Sequence, residues 1–190
     1  MTSEKRDHQE LLNDIIEIEL NMFQQVKTVE TSLCQERPEA FKVMREMTHS
    51  VLSTETLEFY LEDLRKAKAE DRNCMTEKYA RMQNLIPPLK VDPAIKDIIE
   101  NIVKTESHWM KETSARYTHC FMGQTGNFEV YLRSELETYS DGTLRLYFAD
   151  ISRAEKEGRN LAEERYSKLA KKLGYDSIDS MEKTITQENQ

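Results

Sequence analysis

Glycine and proline are scarce in this chain, five and four residues among 190. A turn-dense all-β sandwich or barrel needs more of both, so that architecture is excluded. No apolar run approaches the roughly 20 residues of a membrane-spanning helix, and the polar start MTSEKRDHQE lacks signal-peptide character. Basic charge is in deficit, with 27 Lys+Arg against 35 Asp+Glu for a net −8. That balance argues against a nucleic-acid or membrane-surface partner. The three cysteines, Cys34, Cys74 and Cys120, are odd in number and widely spaced, as expected of reduced thiols in a cytoplasmic protein. Gly-rich phosphate loops, HExxH pairs and nucleophile elbows are also missing. No reaction can be read from a motif.

What the chain has is periodicity. Mean hydropathy is −0.74, yet the apolar residues recur at helical spacing, which excludes full disorder. Leu12, Ile15, Ile16, Met22, Phe23 and Val26 form one stripe within residues 8–30. Pro38 suits the first turn of a second helix, running to about Ser50. Ser53 or Thr54 caps a third, to about Asp71, and Asn73 a fourth that ends before Pro87-Pro88. Asp92-Pro93 opens a long helix through Trp109. Gly123 to Gly126 mark a loop, and helices follow near 127–138, 141–157 and 160–173. Gly158 falls where a left-handed helix end is wanted, and Asn160 with Glu163 reads as a capping box. The tail from Thr184 is polar and expected to fray. The expected fold is therefore all-α, with about eight helices.

Sliding the chain by 87 residues lays 53–82 over 140–169 with eleven identities in thirty ungapped positions. Among them are Ser53/Ser140, Thr56/Thr143, Tyr60/Tyr147, Asp63/Asp150, Asn73/Asn160 and Tyr79/Tyr166. The same offset pairs Phe41 with Phe128, Ile15 with Ile102 and Glu19 with Glu106. This predicts a tandem duplication of a four-helix unit, a pseudo-twofold bundle with repeats 11–86 and 98–173. Residues 1–175 would form one domain, and 176–190 a short C-terminal segment and polar tail. In the fourth helix of each repeat, Met75, Tyr79, Met82 and Ile86 match Ala162, Tyr166, Leu169 and Leu173, a stripe expected to be core, with both tyrosines mostly buried.

Two pairs of matched acids stand out. Glu19 lies between Ile15-Ile16 and Met22-Phe23, and Glu106 between Ile102-Val103 and Trp109-Met110. Asp63 shares a seam with Tyr60, and Asp150 with Tyr147. A carboxylate on a core-facing stripe costs several kcal/mol unless paired or metal-bound. The ordinary solution is an ion pair with an arginine such as Arg45, Arg72, Arg133 or Arg159, or a bond to a tyrosine hydroxyl. The sharper expectation is that a pseudo-twofold brings Glu19, Glu106, Asp63 and Asp150 to one pocket. There they would hold a divalent metal or a cationic ligand, with Tyr60, Tyr147 and His49 at its edge. No Glu-x-x-His pair supports a di-iron site, and His49 is matched by Leu136. Cys34 would need basic neighbours to be nucleophilic. Cys74 sits in a helix first turn but is matched by Leu161, which points to packing. His119-Cys120 with Cys34 has no zinc spacing.

Several strings carry a resemblance: CQERPEAFKVMRE (34–46), EFYLEDLRKA (58–67), RNCMTEKYARM (72–82), YLRSELETYSDGTLRLY (131–147) and GRNLAEERY (158–166). Together they resemble a bacterial family catalogued as domain-of-unknown-function family 4125, over about residues 11–176. Met47-Thr48-His49 and Gln83 depart from its usual pattern. The resemblance implies a folding unit and no mechanism. Two functions stay open. One is a small-molecule or divalent-metal site between the repeats, with or without catalysis. The other is a helical interaction or oligomerisation module, in which a homo-oligomer is the partner.

Overall fold

Stripes at helical spacing become helices because each buries one face, and the caps decide where each begins. The computed structural model describes residues 6–26, 37–122 and 127–188, in which nine α-helices and no strands are found. They are α1 (His8–Gln24), α2 (Pro38–His49), α3 (Thr54–Ala69), α4 (Cys74–Met82), α5 (Pro93–Arg116), α6 (Phe128–Leu136), α7 (Asp141–Lys156), α8 (Leu161–Lys172) and α9 (Ile178–Glu188). The N-caps form as expected: Ser53 Oγ accepts from Thr56 N, Asn73 Oδ1 from Thr76 N and Asn160 Oδ1 from Glu163 N. Pro38 and Pro93 open α2 and α5. The capping box is only half made, because the Glu163 carboxylate is taken by Arg116 and Tyr117.

Gly158 adopts φ +66° after α7, and the next amide, Arg159 N, bonds back to Ala154 O. Asp71 does the same at φ +56° after α3, with Arg72 N on Ala67 O. α1 ends at Gln24, short of the expected 30; residues 27–36, including Cys34, and the expected 123–126 loop lie outside the described residues.

α1 packs on α2, α3 and α4, and α5 on α6, α7 and α8. Between these groups α3 meets α7, α2 meets α8 and α4 meets α6. Leu11, Ile15, Leu57, Leu61, Ile102, Leu144 and Ile151 fill the main core. α9 was not expected. It follows α8 and buries Ile178 and Met181 in a smaller cluster with Tyr117, Phe121 and Ala170, which holds the polar tail helical as far as Glu188.

The fourth-helix stripe needs correcting. Met75 and Ala162 are buried, but Tyr79 and Tyr166 are only half-buried and Leu173 is 57% exposed. Lys78 and Arg165 are buried in their place, one position before each tyrosine.

Candidate functional site

Glu19 and Glu106 sit on the apolar stripes of α1 and α5, and both are 0% exposed. A buried carboxylate must find cations and hydroxyls, and each finds a different set. Arg45 of α2 meets Glu19 in a two-pronged pair, Nε to Oε2 at 2.8 Å and Nη2 to Oε1 at 2.6 Å. The same guanidinium donates to both oxygens of Glu135, at 3.1 and 2.7 Å. Lys78 Nζ adds a third bond to Glu135 at 2.5 Å, and Tyr139 a fourth at 3.0 Å. Tyr60 donates to Glu19 Oε1 at 2.7 Å. Two carboxylates thus face two cations in a layer shut off from water.

Burial alone would raise the Glu19 carboxyl, but the Arg45 charge outweighs it and, with hydrogen bonds from His49 and Arg45, holds it at about 2. Glu135 is likewise held well below the usual carboxylate range, burial being overcome by Arg45 and Lys78. Burial would also weaken the Arg45 guanidinium as an acid-base group, yet Glu135 and Glu19 keep it firmly protonated.

Glu106 has a simpler set. Arg165 of α8 grips both its oxygens, with Nη2 to Oε1 at 2.6 Å, and Tyr147 donates to Oε1 at 3.0 Å. Arg165 also donates from Nε to Thr48 O at 3.2 Å. Lys78 and Arg165 are 87 residues apart, a pair of basic residues at the offset that the sequence reading passed over.

Asp63 and Asp150 stand elsewhere. Asp150 Oδ2 accepts from Ser53 N at 2.9 Å and Thr56 Oγ1 at 2.6 Å. Asp63 Oδ2 accepts from Ser140 N at 2.8 Å and Thr143 Oγ1 at 2.6 Å. Each therefore clamps the first turn of the other's helix, where an anion is favoured. The four acids do not converge as one ligand set. Among the described residues, no group of three or more His, Cys, Asp or Glu is placed to hold a metal ion.

Between α2, α5, α6, α7 and α8 lies a cavity of about 80 Å³. Its polar wall is His49, Glu106, Glu135, Tyr147 and Arg165; Phe128, Tyr131, Leu132 and Ala162 supply much of the rest. Tyr131, 36% exposed, stands where this wall meets the surface. Glu19 and Tyr60 do not line the cavity but hold its edge. Tyr60 packs its ring 4.3 Å from Tyr139, and Glu19 Oε1 lies 3.1 Å from His49 Nε2.

His49 carries the open valence. Arg45 Nη2 has two hydrogens, and its two shortest contacts are the carboxylate oxygens of Glu19 and Glu135. His49 Nε2, third at 2.9 Å, therefore keeps its own hydrogen and donates it to Glu19 Oε1. With that hydrogen on Nε2, the imidazole presents Nδ1 as its acceptor nitrogen. Nδ1 is buried with no hydrogen-bond partner among the described residues.

The cavity is bordered by smaller side chains than stand 87 residues earlier. Met110, Leu132 and Ala162 border it; the earlier positions hold Phe23, Arg45 and Met75, all larger and all buried. Phe23 stacks on Phe41, the counterpart of Phe128, with ring centres 4.6 Å apart.

Of the arginines expected as partners for buried acids, only Arg45 serves. Arg72 and Arg159 instead pair with Glu77 and Glu164 at the surface, and Arg133 with Glu100. Cys74 packs in the core, where burial pushes its thiol up to about 12. Cys120 is pushed to the same level by burial and by Glu182. Neither is an activated nucleophile.

Fold and site together define an all-helical protein with a buried ion-pair layer beside a small polar cavity. The chain belongs to the family described as Protein of unknown function (DUF4125), whose pattern matches residues 9–183. No curated protein and no solved structure matches it.

Proposed function

We propose that the chain is a duplicated helical unit, 11–86 and 98–173, whose second half has opened into a small-molecule binding site. The reciprocal clamps of Asp63 and Asp150 support the duplication, since a twofold axis near α3 and α7 would generate one from the other. So does the packing, in which α1 with its three neighbours recurs as α5 with its three. The single observation that carries the binding reading is His49 Nδ1, a buried acceptor left unpartnered on a cavity wall. Leaving such a group unmet costs about 1–3 kcal/mol, so it is retained where something meets it.

The ligand enters a space that Ala162 leaves and Met75 closes in the first half. Thermal-shift screening of small polar metabolites tests this with wild type and Ala162→Met. The expected result is a compound that stabilises wild type and leaves the filled variant unmoved. A panel that shifts neither protein, or both equally, would overturn the reading.

A further inference from the structure

What the cavity offers a ligand is not symmetric between donors and acceptors. On its walls the strong cations are engaged: Arg165 grips Glu106, and Lys78, just behind, is held on Glu135 and lies 3.4 Å over the Tyr131 ring. Tyr139 and Tyr147 spend their hydroxyl hydrogens on the same carboxylates. Glu135 is saturated, with two donors on each oxygen. Acceptors are what remain. His49 Nδ1 has no donor, and Glu106 Oε2 has Arg165 alone where Oε1 has both Arg165 and Tyr147. Phe128, Tyr139 and Tyr147 add aromatic rings to the lining, the Tyr131 ring being already covered by Lys78.

We infer that the ligand is a small primary ammonium compound, its N–H groups donating to His49 Nδ1 and Glu106 Oε2 and its charge lying against the tyrosine faces. This rests on the binding-site reading above and names its substrate class. Acceptors and ring faces without a free cation are the surroundings that an ammonium group seeks. An anion would meet two carboxylates, with the Arg165, Tyr139 and Tyr147 donors already spent. Around the cavity Glu19, Glu106 and Glu135 balance Arg45, Lys78 and Arg165, so the wider field decides, and the chain's net charge of −8 favours a cation. Size narrows the class. A cavity of about 150 Å³ takes six-carbon benzene, so about three heavy atoms fit this one.

Ethylammonium, ethanol and acetate have the right size and differ in charge and donor count. Saturation-transfer NMR at constant ionic strength would follow each with the whole protein, wild type, Ala162→Met and Met110→Phe. The two substitutions install first-half residues from two different helices, α5 and α8, so one serves if the other fails to fold. The expected result is saturable transfer to ethylammonium in wild type, weakened about tenfold or more in either filled variant. Transfer to ethanol or acetate with ethylammonium silent would overturn the amine assignment and leave the binding site standing. Silence from all three would also overturn the assignment. Transfer to ethylammonium that persists undiminished in the filled variants would overturn both the assignment and the site.

Discussion

The clusters around Glu19 and Glu106 begin from the same position on two similar helices and end in different states. Around Glu19, Arg45, Glu135 and Lys78 extend the pair into a four-charge layer, and Phe23, Phe41 and Met75 close the space beside it. Around Glu106 a single arginine neutralises the acid, and Met110, Leu132 and Ala162 leave room. A few side-chain volumes separate the closed cluster from the one beside the cavity. The lesson is about cavities: a polar pocket lies here where small side chains stand next to an acid that is already satisfied.

Removing the centre of the filled cluster should have the largest effect. Arg45→Leu, which installs the residue found at position 132, leaves Glu19 and Glu135 buried with their main cation gone. A loss of about 3–5 kcal/mol in urea titration is expected. A loss below about 1 kcal/mol would mean that the layer is wetter than its burial indicates. Met75→Ala follows, at about 3 kcal/mol, because a buried methionine is replaced by a cavity. It should also make the first half resemble the second.

Acid should weaken the cluster around Glu19 as well. Glu19 has a folded-state value of about 2, below its ordinary value near 4.5. Its contribution is therefore complete above the ordinary value and lost as pH falls towards 2, on the order of 3 kcal/mol in all. Glu135 adds loss of the same sign. Stability measured from pH 6 down to 3 should fall, and the fall should be shallower in Glu19→Gln. An unchanged slope in that variant would remove Glu19 as the cause.

How much of this could be read in advance depends on the range of the interaction. Glu19 and Glu106 were legible because an acid between large apolar residues one turn either side breaks a local pattern. Their partners were not. Lys78 and Arg165 sit one residue from tyrosines that themselves fit a 4-3-4 stripe, and long basic side chains reach inward from positions that periodicity assigns to the boundary. Glu135 and Tyr139 have Thr48 and Leu52 at the offset, so the repeat gave no hint of them. Asp63 and Asp150 were recognisable as a pair, but their bonds cross between halves, which helix periodicity does not encode. The caps, being local, were readable throughout.

Those cross-half clamps give the next smaller effect. Asp150→Asn keeps the shape and removes the charge that receives Ser53 N and the Thr56 hydroxyl, at about 2 kcal/mol. Asp63→Asn should cost less, because Asp63 is half-buried and Asp150 buried. The reverse order would show that exposure does not govern these bonds.

The smallest effect is the most informative about the comparison. Ala162→Met adds the bulk found at position 75 to a void of about 80 Å³. Where space exists, added methylenes gain contacts without strain; where it does not, overpacking costs about 1–3 kcal/mol. The expected change is within about 1 kcal/mol of wild type, with stabilisation the favoured sign, because Ala and Met are both strong helix formers. Met75→Ala and Ala162→Met are thus opposite exchanges at one repeat position, with large and small expected costs. Equal costs would mean that both halves are packed alike, and the open cavity would lose its place in the account. A clear asymmetry would establish that position 162 holds alanine at no benefit to stability, which leaves the space itself as the reason for it.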